Sequence, residues 1–405
     1  MANRKAISNR RNFLKQSMAG IAGTAVFPFW ANGFSMIGHG NRKNKIIFRI
    51  LGKTGVKLPI ISIGALSFDA SLYRTALDRG ISHIDTSQYY FNGKHEMMVG
   101  DVIKGRPRDS FVVSTKIMIG NGQSGQHSTL ALADAPTLAD RFNISLERLG
   151  LEHVDIFYVA GINSRNTSLN DDLMKGLQKI KKSGKARFVG VATHQNEPEV
   201  LRAAVESCIH DVVLVAYNFR QIHGAEVKKA IGEVAKAGLG IIAMKPMAGA
   251  YWDKERTLPI NAKAALKWAL QDKNVHSVVT GIMSLDELET DLSIMDKLEM
   301  TSKEKDSLKL GEKKSFAGLY CQQCGKCRTQ CLSSLDIPTL MRSYMYMYGY
   351  GDAARARASL DQFDLSYVGC HECVSCTVTC SLRMDVRARI LDIIRLKSVP
   401  EDFLS

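Results

Sequence analysis

At 405 residues, 45% of them hydrophobic and 23% charged, the chain has ordinary globular composition and room for one large domain and a small one. The formal charge of +14 is scattered through stretches such as Lys179–Arg187 and Lys303–Lys314, with no basic stripe interleaved with aromatics. That pattern excludes a nucleic-acid binder and leaves attraction to an acidic surface open.

Residues 1–32 carry no fold signal. Arg10-Arg11-Asn12-Phe13-Leu14-Lys15 precedes an apolar, small-residue stretch from Met18 to Trp30. The segment resembles a twin-arginine export signal, with Asn9 where Ser or Thr is more usual. The resemblance implies the twin-arginine export machinery as a partner and a periplasmic or otherwise extracytoplasmic location. Trp30-Ala31-Asn32 is a poor small-x-small cleavage site, so membrane association through an uncleaved signal stays open.

From Phe48 to about Leu298, residues 48–298, short apolar runs alternate with helical patterns. Strands are expected at Ile61–Ile63, Ser82–Asp85, Phe111–Lys116, Val154–Ala160, Phe188–Ala192, Val212–Asn218, Gly240–Met244 and Ser277–Thr280. Helices are expected near 70–79, 94–104, 136–148, 169–183, 197–206, 224–236, 262–271 and 284–296. Leu138, Phe142, Leu146 and Leu149 give the third its apolar face. Eight strand–helix repeats fit a (β/α)8 TIM barrel, of α/β class. A doubly wound sheet would need a Gly-rich loop after its first strand, and none is present. Gly52-Lys53-Thr54-Gly55 reads as part of a hairpin closing the barrel floor.

Chemistry in such a barrel sits at the carboxyl ends of the strands. The second expected strand ends in Asp85 and runs on to Tyr89-Tyr90; the third ends in Ser114-Thr115-Lys116. An ammonium beside a phenol stabilises the phenolate, and a carboxylate holds the ammonium in place, which makes a proton donor. Packing is the competing explanation for a tyrosine on a loop, but matched Asp and Lys on neighbouring strand ends favour catalysis.

Five segments resemble the aldo-keto reductases: Leu51–Gly55, Gly80–Thr86, Ser114–Lys116, Val154–Tyr158 and Gly184–Val191. The resemblance implies hydride transfer between NAD(P) and a carbonyl carbon, with Tyr90 as general acid/base, Lys116 its partner and Asp85 the anchor. It also marks departures. Ala160 stands where the family has a substrate-orienting histidine, which removes a donor worth about a few kcal/mol. His194 is a candidate replacement. In the nicotinamide seat Ala192, Thr193, Leu214 and Met244 replace the usual Ser, Asn, Gln and aromatic residues, and Lys245 is a candidate phosphate or substrate contact. Gly281 and Glu287 stand where relatives carry a basic pair for the 2′-phosphate of NADPH.

Eight of the nine cysteines form two copies of C-x2-C-x2-C-x3-C: Cys321, Cys324, Cys327, Cys331 and Cys370, Cys373, Cys376, Cys380. The spacing suits two [4Fe-4S] clusters, with zinc and disulfides as alternatives. By resemblance to bacterial ferredoxins the fourth cysteines swap, Cys380 joining the first group and Cys331 the second; the unswapped pairing is also open. Residues 315–395 would then be a small helical ferredoxin-like domain, with helices near Leu340–Tyr348 and Ala353–Leu360. Tyr344, Tyr346, Tyr348 and Tyr350 are expected to pack, and Cys208 to be a buried small apolar residue.

The combined expectation is an oxidoreductase interconverting a hydroxyl and a carbonyl on a small polar substrate, wired through the clusters to a redox partner protein. Two alternatives compete. One is a non-catalytic electron-transfer or assembly protein on a degenerate barrel. The other is a lyase or isomerase using Tyr90 and Lys116 for proton transfer.

Overall fold

The protein is seen in a computed structural model that describes residues 46–119, 137–253, 256–310, 320–361, 370, 373 and 376–404. All fall within one compact unit, Asn44–Ser405.

Strands β1 (Phe48–Ile50) and β2 (Lys57–Pro59) pair antiparallel around a short 3-10 turn at Gly52–Thr54. The remaining strands are β3 (Ile61–Ile63), β4 (His83–Asp85), β5 (Val112–Met118), β6 (Val154–Ala160), β7 (Ala186–Thr193), β8 (Val212–Ala216), β9 (Gly240–Met244) and β10 (Ser277–Thr280). They close into a parallel barrel in that order, with β10 returning to β3. The expected eight-stranded barrel is therefore present, each strand within a few residues of its predicted place.

Parallel strands covered on both faces carry continuous apolar runs, and β6 is buried at every position. Its side chains alternate. Ile156, Tyr158 and Ala160 join the barrel interior with Leu51, Val56 and Leu58 of the floor hairpin, while Phe157 and Val159 face the helices. Phe142, on the predicted apolar face of the helix Leu138–Leu149, meets Phe157 with ring centroids 4.3 Å apart. A Thr137–Asp140 capping box starts that helix and Gly150, at φ 63°, ends it.

The C-terminal segment is helical: Ile337–Met345, a π-turn at Tyr346–Tyr350, Ala353–Leu360 and Val386–Ile393. The first begins three residues before its predicted start, because Asp336 caps it and Pro338 fits the first turn. These helices share an apolar core around Leu340, Met341, Leu360 and Ile390. They also lie against the barrel. Tyr89 Oη donates to the Ala358 carbonyl at 3.0 Å, and Gln195 Nε2 to Gln323 Oε1 at 3.2 Å. Cys208 is exposed rather than buried, in a left-handed turn (φ 55°) that follows the helix Glu197–Glu206.

Candidate active site

The barrel brings Asp85 and Lys116 together because β4 and β5 are neighbours in register, Asp85 opposite Ser114. Lys116 Nζ donates to Asp85 Oδ2 and, at 2.9 Å, to the Thr86 carbonyl. The Ser114 hydroxyl donates to Asp85 Oδ1 at 2.6 Å. His83 extends this chain below, bonding Ser114 at 3.0 Å and Ser62 at 2.8 Å. Burial lowers the His83 imidazole to about 4, so it is neutral and its tautomer follows its two hydroxyl partners. Burial works to lower the Lys116 ammonium as well, but Asp85 and Tyr90 outweigh it and the pKa rises. The ammonium lies 4.9 Å from the Tyr90 ring centroid. Tyr90 follows β4 on a tight turn in which Phe91 and Asn92 take left-handed backbone angles.

A cavity of about 800 Å³ opens over this group. It lies within the size range of small-molecule sites. Asp85, Tyr90 and Lys116 line it, as do four of the sequence-derived cofactor candidates: Ala192, Met244, Lys245 and Gly281. Two candidates lie elsewhere. Leu214 packs in the barrel interior, and the Thr193 hydroxyl donates to the Ile162 and Gln195 carbonyls. The far end of the cavity reaches Gly281, Met283, Glu287 and Asp291 beside the helix Leu285–Leu292. A Cβ on Gly281 would sit 2.7 Å from Leu66, so glycine keeps that end open. The end is acidic: Glu287 accepts the Met283 amide at 2.7 Å, and burial raises the Asp291 carboxyl to about 7.

Ala160 also lines the cavity, so the expected histidine position offers no donor. His194 is not free to replace it, because Arg342 Nη1 stands 3.0 Å from its Nε2. Burial, Lys245 and Arg342 hold that imidazole well below its ordinary value. Arg342, Tyr346 and Arg355 come from the C-terminal helices to complete the wall. Sequence reasoning passed over the two arginines and assigned Tyr346 to packing. The available signal was helical spacing: Tyr346 and Tyr350 share one face and reach the cavity, while Tyr344 and Tyr348 pack on each other at a 45° tilt with centroids 4.5 Å apart.

The eight predicted cluster ligands gather as Cys321, Cys324, Cys327, Cys380 and as Cys331, Cys370, Cys373, Cys376, each set lining a small cavity. Among the described residues, however, no group of three or more Cys, His, Asp or Glu side chains is arranged to hold a metal ion. The expectation of two [4Fe-4S] clusters is corrected accordingly, and the cluster-borne electron transfer and redox partner protein built on it fall with it. Close spacing along the chain does not by itself fix ligation geometry. In this arrangement burial raises the Cys321 thiol to about 12 and the Cys327 thiol to about 11, with neighbouring thiols adding to the rise.

The twin-arginine reading is also corrected. Residues 1–32 lie outside the described residues, and no helix among the described residues is long and apolar enough to cross a membrane. The periplasmic location, membrane association and export partner therefore have no structural support.

The parallel barrel thus carries Asp85, Lys116 and Tyr90 at its mouth, on one large cavity. Residues 66–264 match the model of the aldo/keto reductase family. The chain is 25% identical over 305 residues to the L-galactose dehydrogenase of Arabidopsis thaliana, covering 65% of this chain and 92% of that protein. It is 26% identical over 332 residues to an L-glyceraldehyde 3-phosphate reductase of Escherichia coli, covering 65% and 91%. Among solved structures it resembles a holo-form aldo-keto reductase from Bacillus halodurans, with TM-score 0.52, 19% identity and coverage of 65% and 95%. An aldo-keto reductase from Klebsiella pneumoniae in complex with NADPH gives TM-score 0.51, 18% identity and coverage of 65% and 94%. The chain is an enzyme, an aldo-keto reductase-like oxidoreductase.

Proposed function

We propose that the barrel mouth interconverts a hydroxyl and a carbonyl on a small polar substrate, with NAD(P) as the hydride carrier. The observation that carries this reading is the buried Asp85–Lys116 pair directed at Tyr90 on the floor of the cavity. A bound nicotinamide would supply or accept hydride at the carbonyl carbon. Ala192 and Met244 would hold its ring end, and Gly281 the far end. Met244 pads a ring face without a hydrogen bond.

The chain's own part is the proton. Tyr90 Oη gives a proton to the carbonyl oxygen as it gains charge, and takes one in the reverse direction. Lys116 stays positive because Asp85 stabilises its ammonium, and that charge favours the phenolate left on Tyr90. The Glu287 carboxylate repels a 2′-phosphate, which supports NADH over NADPH. The C-terminal helices, expected from sequence to be ferredoxin-like, serve here as a wall that narrows the mouth with Arg342, Tyr346 and Arg355.

The test is coenzyme titration of the purified full chain by nicotinamide fluorescence, followed by absorbance at the reduced-coenzyme band with a panel of carbonyl compounds. Saturable binding with carbonyl-dependent oxidation supports the proposal. A chain that binds neither coenzyme refutes it.

A further inference from the structure

Lys245, Arg342 and Arg355 face one cavity, and none lies at ion-pair distance from a carboxylate among the described residues. The Arg355 guanidinium carbon stands 5.3 Å from the Tyr90 ring centroid and 4.8 Å from that of Tyr346, so it bridges the two tyrosines. Arg342 is turned toward the same space by His194 and by the Thr339 hydroxyl, 3.1 Å from Nη2. Carboxylates offset only part of this charge: Asp352, which also lines the cavity, favours the Arg355 guanidinium, and Glu197 the Lys245 ammonium. Asp85 is committed to Lys116, and Asp352 caps its own helix by accepting the Arg355 amide at 2.8 Å. Glu287 and Asp291 belong to the opposite end of the cavity, beside the helix Leu285–Leu292.

Three like charges held in a recess of low dielectric repel one another unless an anion joins them. The titrating groups between them register the field. Burial, Arg342 and Arg355 lower the Lys245 ammonium to about 8, against an opposing pull from Tyr346. Burial works to raise the Tyr346 phenol, yet Arg355, Lys245 and Arg342 together bring it down to about 8.

We infer that Lys245, Arg342 and Arg355 form a binding site for an oxyanion group, a carboxylate or phosphate, carried by the substrate next to its reacting carbonyl. The inference rests on the reductase reading and deepens it by naming the substrate class. Position argues for the substrate over the coenzyme. Arg355 lies against the ring of Tyr90, whose hydroxyl meets the reacting oxygen, and both arginines come from helices beyond residues 66–264, the part that matches the family. Guanidinium groups suit the task because their forked donors match an oxyanion two bonds at a time.

The decisive experiment uses the purified full chain in two arms. Calorimetry without coenzyme measures the affinity for oxalate and for inorganic phosphate, and the tighter of the two assigns the group. Steady-state reduction then compares pyruvate with methylglyoxal and glyceraldehyde 3-phosphate with glyceraldehyde. The anionic member of the pair is expected to have the lower KM. Arg355→Met, which removes no side-chain hydrogen bond seen among the described residues, should weaken oxyanion affinity by about tenfold or more. It should raise KM for the anionic member alone, leave coenzyme affinity unchanged, and be largely rescued by Arg355→Lys. Arg342→Met should act in the same direction. Absence of oxyanion binding to the wild type, or equal KM values within both pairs, would overturn the inference. So would a loss of coenzyme affinity in Arg355→Met with no change toward the anion, which would give the arginines to the coenzyme's pyrophosphate. Oxyanion binding that depends on Arg355 without any carbonyl reduction would sink the reductase reading and leave the anion site standing.

Discussion

Replacing Lys116 by Met removes the cation from a pair whose side chains are only 7% and 5% exposed. Asp85 then keeps the Ser114 hydroxyl at 2.6 Å but no positive charge, and the Thr86 carbonyl loses a donor at 2.9 Å. A buried carboxylate stripped of its partner costs about 3–5 kcal/mol, and methionine fills most of the lysine's volume, so little of that loss is cavity. Adding Asp85→Asn removes the stranded charge, and the double variant should lie within about 1.5 kcal/mol of the wild type. Urea unfolding of the wild type, both single variants and the double variant gives the coupling directly. The sign with pH is fixed by the raised lysine pKa. The pair's contribution is complete below the ordinary lysine value of 10.5 and disappears only as pH rises through the higher folded value. The wild type and its three variants should therefore keep the same spacing from pH 7 to about pH 9. A loss under about 1 kcal/mol in Lys116→Met, the range of an exposed pair, would show that water reaches the ammonium and that the pair is not buried as described.

Two further changes probe the scaffold. His210 is 5% exposed, and neither ring nitrogen has a hydrogen-bond partner among the described residues, so His210→Leu should stabilise the fold by about 1–3 kcal/mol at pH 7. Burial lowers this imidazole to about 4, so the unfolded chain gains a proton below pH 6.5 that the folded chain refuses. The advantage of the leucine variant should therefore grow by about 3 kcal/mol between pH 6.5 and pH 4 in denaturant titrations, and parallel curves would contradict the assignment. Gly190→Ala would put a Cβ 2.2 Å from the Val212 carbonyl oxygen and 2.8 Å from the Tyr158 ring. The urea midpoint should fall by an amount equal to about 1–3 kcal/mol or more, and an unchanged midpoint would show slack inside the barrel.

Local pattern specified the barrel because each strand's apolar run and each helix's periodic face carry their own signal. Phe142, Leu146 and Leu149 were legible as the buried side of one helix, and that side is buried. Asp85 and Lys116 were legible because parallel neighbouring strands leave their ends at the same mouth. The rest depended on long-range contacts with no local mark. Arg342 and Arg355 lie well over two hundred residues from Tyr90 in sequence, and nothing near them states which surface their helices will cover. The loss of His194 to Arg342 was hidden for the same reason. The short helices Arg165–Ser168 and Ser302–Leu308 escaped because too few turns are present to show a period. The cysteine pattern misled in the opposite way: it brought the sulfurs into two groups without the geometry expected of them.

The account turns on a single hydroxyl. Turnover of an accepted carbonyl substrate with reduced nicotinamide should be measured for Tyr90→Phe and Tyr89→Phe beside the wild type, with coenzyme affinity recorded for each. Tyr90→Phe should lose about 10²–10⁴-fold in kcat while still binding coenzyme, and Tyr89→Phe, whose hydroxyl is given to the Ala358 carbonyl, should keep most of its rate. A Tyr90→Phe enzyme as fast as the wild type would contradict the proton donor, and with it the role given to Lys116 and Asp85.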